Sequence, residues 1–112
     1  MSPKLAFSLL ATIVVAGFAA PAVADDNGLA AIHTFSRERG KLCFPDHWHY
    51  ATGSGPSKKA AQADAIRGWQ DFTALEYGSD WARFSRAQAK VVRCSAGSGG
   101  AIDCNVEARP CK

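Results

Sequence analysis

Past its first 24 residues the chain has no apolar run able to cross a bilayer, which takes about 20 residues. It has no strong excess of charge either: 13 Lys and Arg stand against 10 Asp and Glu. That balance argues against a nucleic-acid partner, because such domains cluster basic residues on one face. There is no internal repeat. The absence of C-x-x-C argues against a thioredoxin-like redox pair. Neither G-x-S-x-G nor H-E-x-x-H occurs, so no hydrolase site is announced and no catalytic residue is named.

What is present begins with a leader. Met1-Ser2-Pro3-Lys4 is a positive head, and Leu5 to Ala20 is apolar and uncharged. Pro21 breaks the run, and Ala22-Val23-Ala24 precedes Asp25-Asp26. This is the pattern of a cleaved export signal over residues 1–24. It implies an exported chain, periplasmic or extracellular, with a single domain over residues 25–112 and no transmembrane anchor in the mature part. Without Lys4 that domain is nearly neutral. A domain of this size buries too little surface to be comfortably stable alone.

The four cysteines, Cys43, Cys94, Cys104 and Cys111, all follow the leader. Export into an oxidising space predicts two disulfides, each worth roughly 2–4 kcal/mol. A zinc site of four thiolates would normally use close pairs. Three pairings exist. Cys94 and Cys104 flank Ser98-Gly99 about equally, which favours Cys94–Cys104 with Cys43–Cys111. The alternative joins Cys43 to Cys104 or to Cys94.

The clearest element is a helix from about Lys58 to Tyr77. Ser57 is its N-cap, and Ala61, Ala65, Trp69 and Phe72 form an apolar stripe widened by Ile66 and Leu75. Gly68 is expected to let a neighbour approach, and Gly78 to end the helix in the left-handed conformation. His47 to Thr52 reads as a strand stopped by Gly53-Ser54-Gly55-Pro56. Trp81 and Phe84 tuck inward from a connector. Gln88 to Ser95 and Ala101 to Arg109 form a hairpin across a glycine-rich turn. Ile102, Cys104, Val106 and Ala108 share its buried face. Residues 25–40 are the least readable stretch, and within them Leu29 to Phe35 reads as either an early strand or a short helix. The expected fold is α+β, strand-helix-hairpin: one long amphipathic helix on a small antiparallel sheet, stapled by two disulfides.

Three stretches carry candidate chemistry. His47 and His49 sit at i and i+2 of a strand and so share a face; two imidazoles there make half of a copper or zinc site, with Asp46 or His33 to complete it. Histidines also occur as surface filler on such strands. Trp48 and Tyr50 alternate with them and mark a binding patch if exposed, although large aromatics such as Trp48 are mostly buried. Ser57-Lys58-Lys59 at a helix start offers N–H groups and two cations to an anion, or serves simply as a cap.

Gly53-x-Gly55-x-Ser57-Lys58-Lys59-x-Ala61 resembles the last-helix motif of double-stranded RNA-binding domains, whose lysines grip phosphates across the major groove. The likeness covers about 15 residues. Gln62 stands where that motif has a further lysine. Only residues 25–52 precede Gly53, too few for the helix and three strands of that family, and here a hairpin follows.

Over most of the mature chain, Cys43-Phe44-x-Asp46-His47-x-His49, Ser57 to Trp69, Glu76-Tyr77-Gly78, Cys94, Cys104 and Ala108-Arg109-Pro110-Cys111 look like a group of small exported proteins of alphaproteobacteria. That resemblance implies export and the four-cysteine pattern, and carries no mechanism. The expectation is a non-catalytic binding module without a cofactor, its partner an envelope component or another protein. A copper- or zinc-binding protein using His47 and His49 is the alternative, and nucleic-acid binding a remote one.

Overall fold

The helix forms where the sequence calls for it. In a computed structural model, which describes residue 17 and residues 28–112, α2 runs Lys58–Tyr77. The expected leader, apart from residue 17, and the first residues of the mature chain lie outside the described residues. Ser57 caps α2 by accepting a hydrogen bond from the Ala60 amide at 3.2 Å. Gly78 ends it at φ 99° and ψ 161°, a backbone open to glycine but extended rather than left-handed helical. No helix of the described residues is long and apolar enough to cross a membrane.

Before α2 come α1 (Gly28–Ala31), β1 (Ser36–Glu38), β2 (Lys41–Cys43) and β3 (His49–Gly55); after it come β4 (Gln88–Ala96) and β5 (Ile102–Arg109). The main sheet is antiparallel in the order β3-β5-β4. α2 covers one face of it, so the fold is the expected helix over a small antiparallel sheet. The stretch from Leu29 to Phe35 takes the helical reading, with α1 ending at Ala31, and the first strand begins only after it, at Ser36. The small β1–β2 hairpin is not expected from the sequence. Its two-residue turn, Arg39-Gly40, has positive φ at both positions, which suits the twist of a hairpin.

Both bridges follow the favoured pairing, Cys94–Cys104 across the β4–β5 hairpin and Cys43–Cys111 from β2 to the C-terminus. The latter is reinforced by paired backbone bonds between Leu42 and Lys112. Two formed bridges fit an oxidising compartment.

The buried stripe of α2 is Ala61, Ala65, Trp69, Thr73 and Tyr77, strictly four apart. Phe72, expected in the core, is 48 % exposed, and Leu75 lies open as well. A stripe stepping by four drifts slowly around the helix, so its second half turns toward Thr73 and Tyr77 instead.

β3 does not stop at Thr52 but runs through Gly53 and Gly55. The two glycines are needed there. A Cβ on Gly53 would collide with the Ala65 amide nitrogen and come 2.7 Å from Ala61 O; one on Gly55 would come 2.9 Å from the Ala60 Cβ. Gly68 has ordinary room, 3.6 Å from the Ala51 Cβ, so the close approach belongs to the strand glycines and not to Gly68.

Trp81 and Phe84 turn inward from two short 3-10 turns as expected. Trp81 joins Phe44, Tyr77 and Ala30 in a second buried cluster, apart from the Trp69–Phe84–Val106 core.

Candidate metal centre

β3 and α2 run in opposite directions, so the start of the strand meets the end of the helix. His49 opens β3 and is 1 % exposed. Its ring stacks on Tyr77 at 5.0 Å between centroids and is covered by Phe72 at 4.8 Å. This explains why Phe72 sits partly in solvent: it roofs a buried imidazole. His47 precedes the strand and so is not placed by strand alternation. The turn at Pro45-Asp46 nevertheless brings its ring 5.1 Å from that of His49. That turn is held by Phe44, whose amide donates to Pro110 O and whose carbonyl accepts from Arg109.

The protons of His49 follow from its neighbours. Thr73 Oγ1 donates its only proton to Trp69 O at 2.7 Å. It therefore accepts from His49 Nδ1, 2.8 Å away. Nδ1 carries the ring proton, and Nε2 is left as a lone pair. Burial lowers the His49 pKa to about 4, against the pull of Glu76, so the ring is neutral at pH 7.

Nε2 faces the Glu76 carboxylate, 3.1 Å from Oε2, and in this tautomer it has no proton to donate there. A lone pair held against a carboxylate oxygen in a buried place is costly unless a cation or proton lies between them. The other carboxylate oxygen, Oε1, is 3.9 Å from His47 Nε2. The ligand atoms of His47, His49 and Glu76 all lie within 4.8 Å of one another. Ligands around a tetrahedral zinc sit about 3.3 Å apart, given metal–ligand bonds near 2.0–2.1 Å. Small side-chain movements therefore bring all three onto one ion.

Of the residues singled out in the sequence, the structure brings His47 and His49 together. Asp46 is exposed and lies outside the three-ligand group. His33 stands close by, its ring 4.8 Å from His47. Trp48, expected in the core, is half-buried with the Arg109 guanidinium 5.7 Å over its ring. Tyr50 is 62 % exposed on the sheet face away from α2. Lys58 and Lys59 are exposed at the start of α2, away from the histidines.

Glu76 is a ligand that the sequence alone does not single out. Its signal is its place seven residues after Trp69, an acid beside the buried stripe and next to Tyr77. Tyr77 shares that environment: burial, and then Glu76, push its phenol pKa up.

No family model matches the chain, and no curated protein and no solved structure shows significant similarity to it.

Proposed function

We propose that the protein is an exported metal-binding module that holds one zinc or copper(II) ion with His47, His49 and Glu76. The buried Nε2 lone pair of His49, set against a carboxylate with no donor between them, carries this reading. The donor set is two imidazoles and a carboxylate, which suits zinc and copper(II). Copper(I) prefers sulfur, but all four cysteines are in bridges and the only methionine is Met1. Thr73 acts as the outer partner that orients His49 toward the ion, as metal-bound histidines usually require.

Calorimetric titration of untagged protein with Zn(II) and Cu(II) tests the reading. One ion per chain at micromolar affinity or tighter is expected, weakened at least tenfold in Glu76→Gln and lost in His47→Ala/His49→Ala. No binding tighter than millimolar would end it.

A second reading is a docking module for an envelope component or another exported protein. It is favoured by Tyr50, which borders a shallow hollow of about 150 Å³ with Thr52, Val91, Arg93 and Asn105. Photo-crosslinking through residue 50 in intact cells would yield a discrete adduct; none at all would remove this reading.

A further inference from the structure

We propose that His33 is a fourth ligand to the metal, and that metal binding thereby fastens the segment around α1 onto the rest of the domain. This rests on the reading of His47, His49 and Glu76 as a metal site.

The proton on His33 is settled by one contact. Its Nδ1 lies 2.7 Å from Leu29 O. A carbonyl only accepts, so Nδ1 donates, and in the neutral ring Nε2 then carries the lone pair. The same tautomer is imposed on His49 by Thr73. An outer acceptor on Nδ1 with Nε2 left for the ion is the usual arrangement of a metal-bound histidine. His33 Nε2 has only a weak partner, Tyr77 Oη at 3.4 Å. An ion would replace a long phenol contact with a bond, at little cost.

The ring stands beside the three-ligand group. It meets His47 edge to face at 4.8 Å and Tyr77 at 5.2 Å. Tyr77 touches the rings of His33, His47 and His49 and hydrogen-bonds Glu76, so all four gather around one tyrosine. The segment has a firm pivot in Ala30, which is fully buried against the Phe44–Tyr77–Trp81 cluster. His33 itself is half-buried at the edge of that cluster. With His33 added, the set becomes three imidazoles and a carboxylate. Four protein ligands close a tetrahedral site and leave no position for water, which is the mark of a structural or storage ion and not a hydrolytic one.

X-ray absorption at the zinc edge on the Zn(II)-loaded protein counts coordinated imidazoles. Three are expected, falling to two in His33→Gln, whose side-chain amide can still donate to Leu29 O. Zinc affinity should fall tenfold or more in the same variant. Hydrogen exchange supplies the independent readout: zinc should slow amides over residues 28–35 in the wild type but not in His33→Gln, while slowing those near residues 47–49 and 73–77 in both. Two imidazoles in the wild type, with affinity and protection unchanged by His33→Gln, would overturn the fourth ligand and leave the three-ligand site standing. Failure of the wild type to bind zinc would overturn both.

Discussion

The two ends of the contact between α2 and β3 are built differently. Where α2 begins, Ala61 and Ala65 meet Gly53 and Gly55, and backbone lies directly on backbone. Where α2 ends, Trp69, Thr73, Glu76 and Tyr77 meet His47 and His49, and the space between is filled by rings and polar atoms. The first end admits no side chain at all. The second admits imidazoles and surrounds them with Phe44, Phe72 and Tyr77. A site between these two elements can therefore exist only at the second end. The glycine–alanine end holds the helix at a fixed distance from the sheet, and the large residues farther along use the room.

The bridges divide along the same line. Cys43–Cys111 closes the aromatic and histidine end over 68 residues of chain, and Cys94–Cys104 ties the hairpin over 10. Loop-closure entropy then assigns about 4 kcal/mol to the first and about 3 kcal/mol to the second. Urea unfolding of Cys43→Ser/Cys111→Ser and Cys94→Ser/Cys104→Ser should show that order. Equal costs would mean that the histidine end does not depend on its staple more than the hairpin does.

The next effect tests the closed end. Gly53→Ala should cost about 3 kcal/mol by overpacking, because the clash is with backbone that cannot move aside. A loss within a few tenths of a kcal/mol in thermal or urea unfolding would show that helix and sheet are not held so tightly.

Thr73→Val probes the open end. It keeps the shape but leaves the His49 Nδ1–H without an acceptor, at a cost of about 1–3 kcal/mol. It should also weaken zinc binding about 10–100-fold, whereas Thr73→Ser should restore both. An unchanged affinity in the valine variant would mean that Thr73 does not orient the imidazole.

Gly68→Ala is the counterpart of Gly53→Ala on the helix side. The position has room for a methyl, so higher helix propensity should add about 0.5–1 kcal/mol. Destabilisation there would show that the close approach extends along the helix after all.

The smallest effect concerns acid. Arg109 grips Glu38 with its two terminal guanidinium nitrogens, Nη2 at 2.6 Å and Nη1 at 2.7 Å, and joins the β1–β2 hairpin to β5. This hydrogen bonding holds the Glu38 carboxyl below its usual range. The folded state therefore gains from the pair above the ordinary carboxylate pKa, and the gain is lost as pH falls through the depressed folded value. Glu38→Gln should flatten that part of the acid dependence of the melting temperature. Because the pair is partly exposed, the change should stay within about 1 kcal/mol.

Much of this architecture is legible in the amino-acid sequence. α2 is readable because Ser57, the alanine–aromatic stripe and Gly78 all agree on its limits. The β4–β5 hairpin is readable because Ile102, Cys104, Val106 and Ala108 alternate cleanly and a glycine-rich turn precedes them. His47 and His49 are visible as a pair of ligand-type residues. The β1–β2 hairpin is not legible, since each strand is three residues long and gives no periodicity to read. Phe72 is misjudged because a stripe on a helix does not say where it stops facing the sheet. Trp48 is misjudged because nothing in its neighbours along the chain announces Arg109.

Local order thus comes from the sequence by itself: the length and ends of the helix, the alternation of the last strand, and the cysteine spacing that favours one pairing. These depend on residues close together in the chain, whose geometry is set by backbone sterics and period. The rest is decided by tertiary structure. Glu76 reaches His49 across 27 positions of sequence, and Gly53 needs its glycine because of Ala65, which belongs to another element. No local pattern encodes such meetings. They follow from how closely the helix can approach the sheet at one end, and from what that distance leaves open at the other.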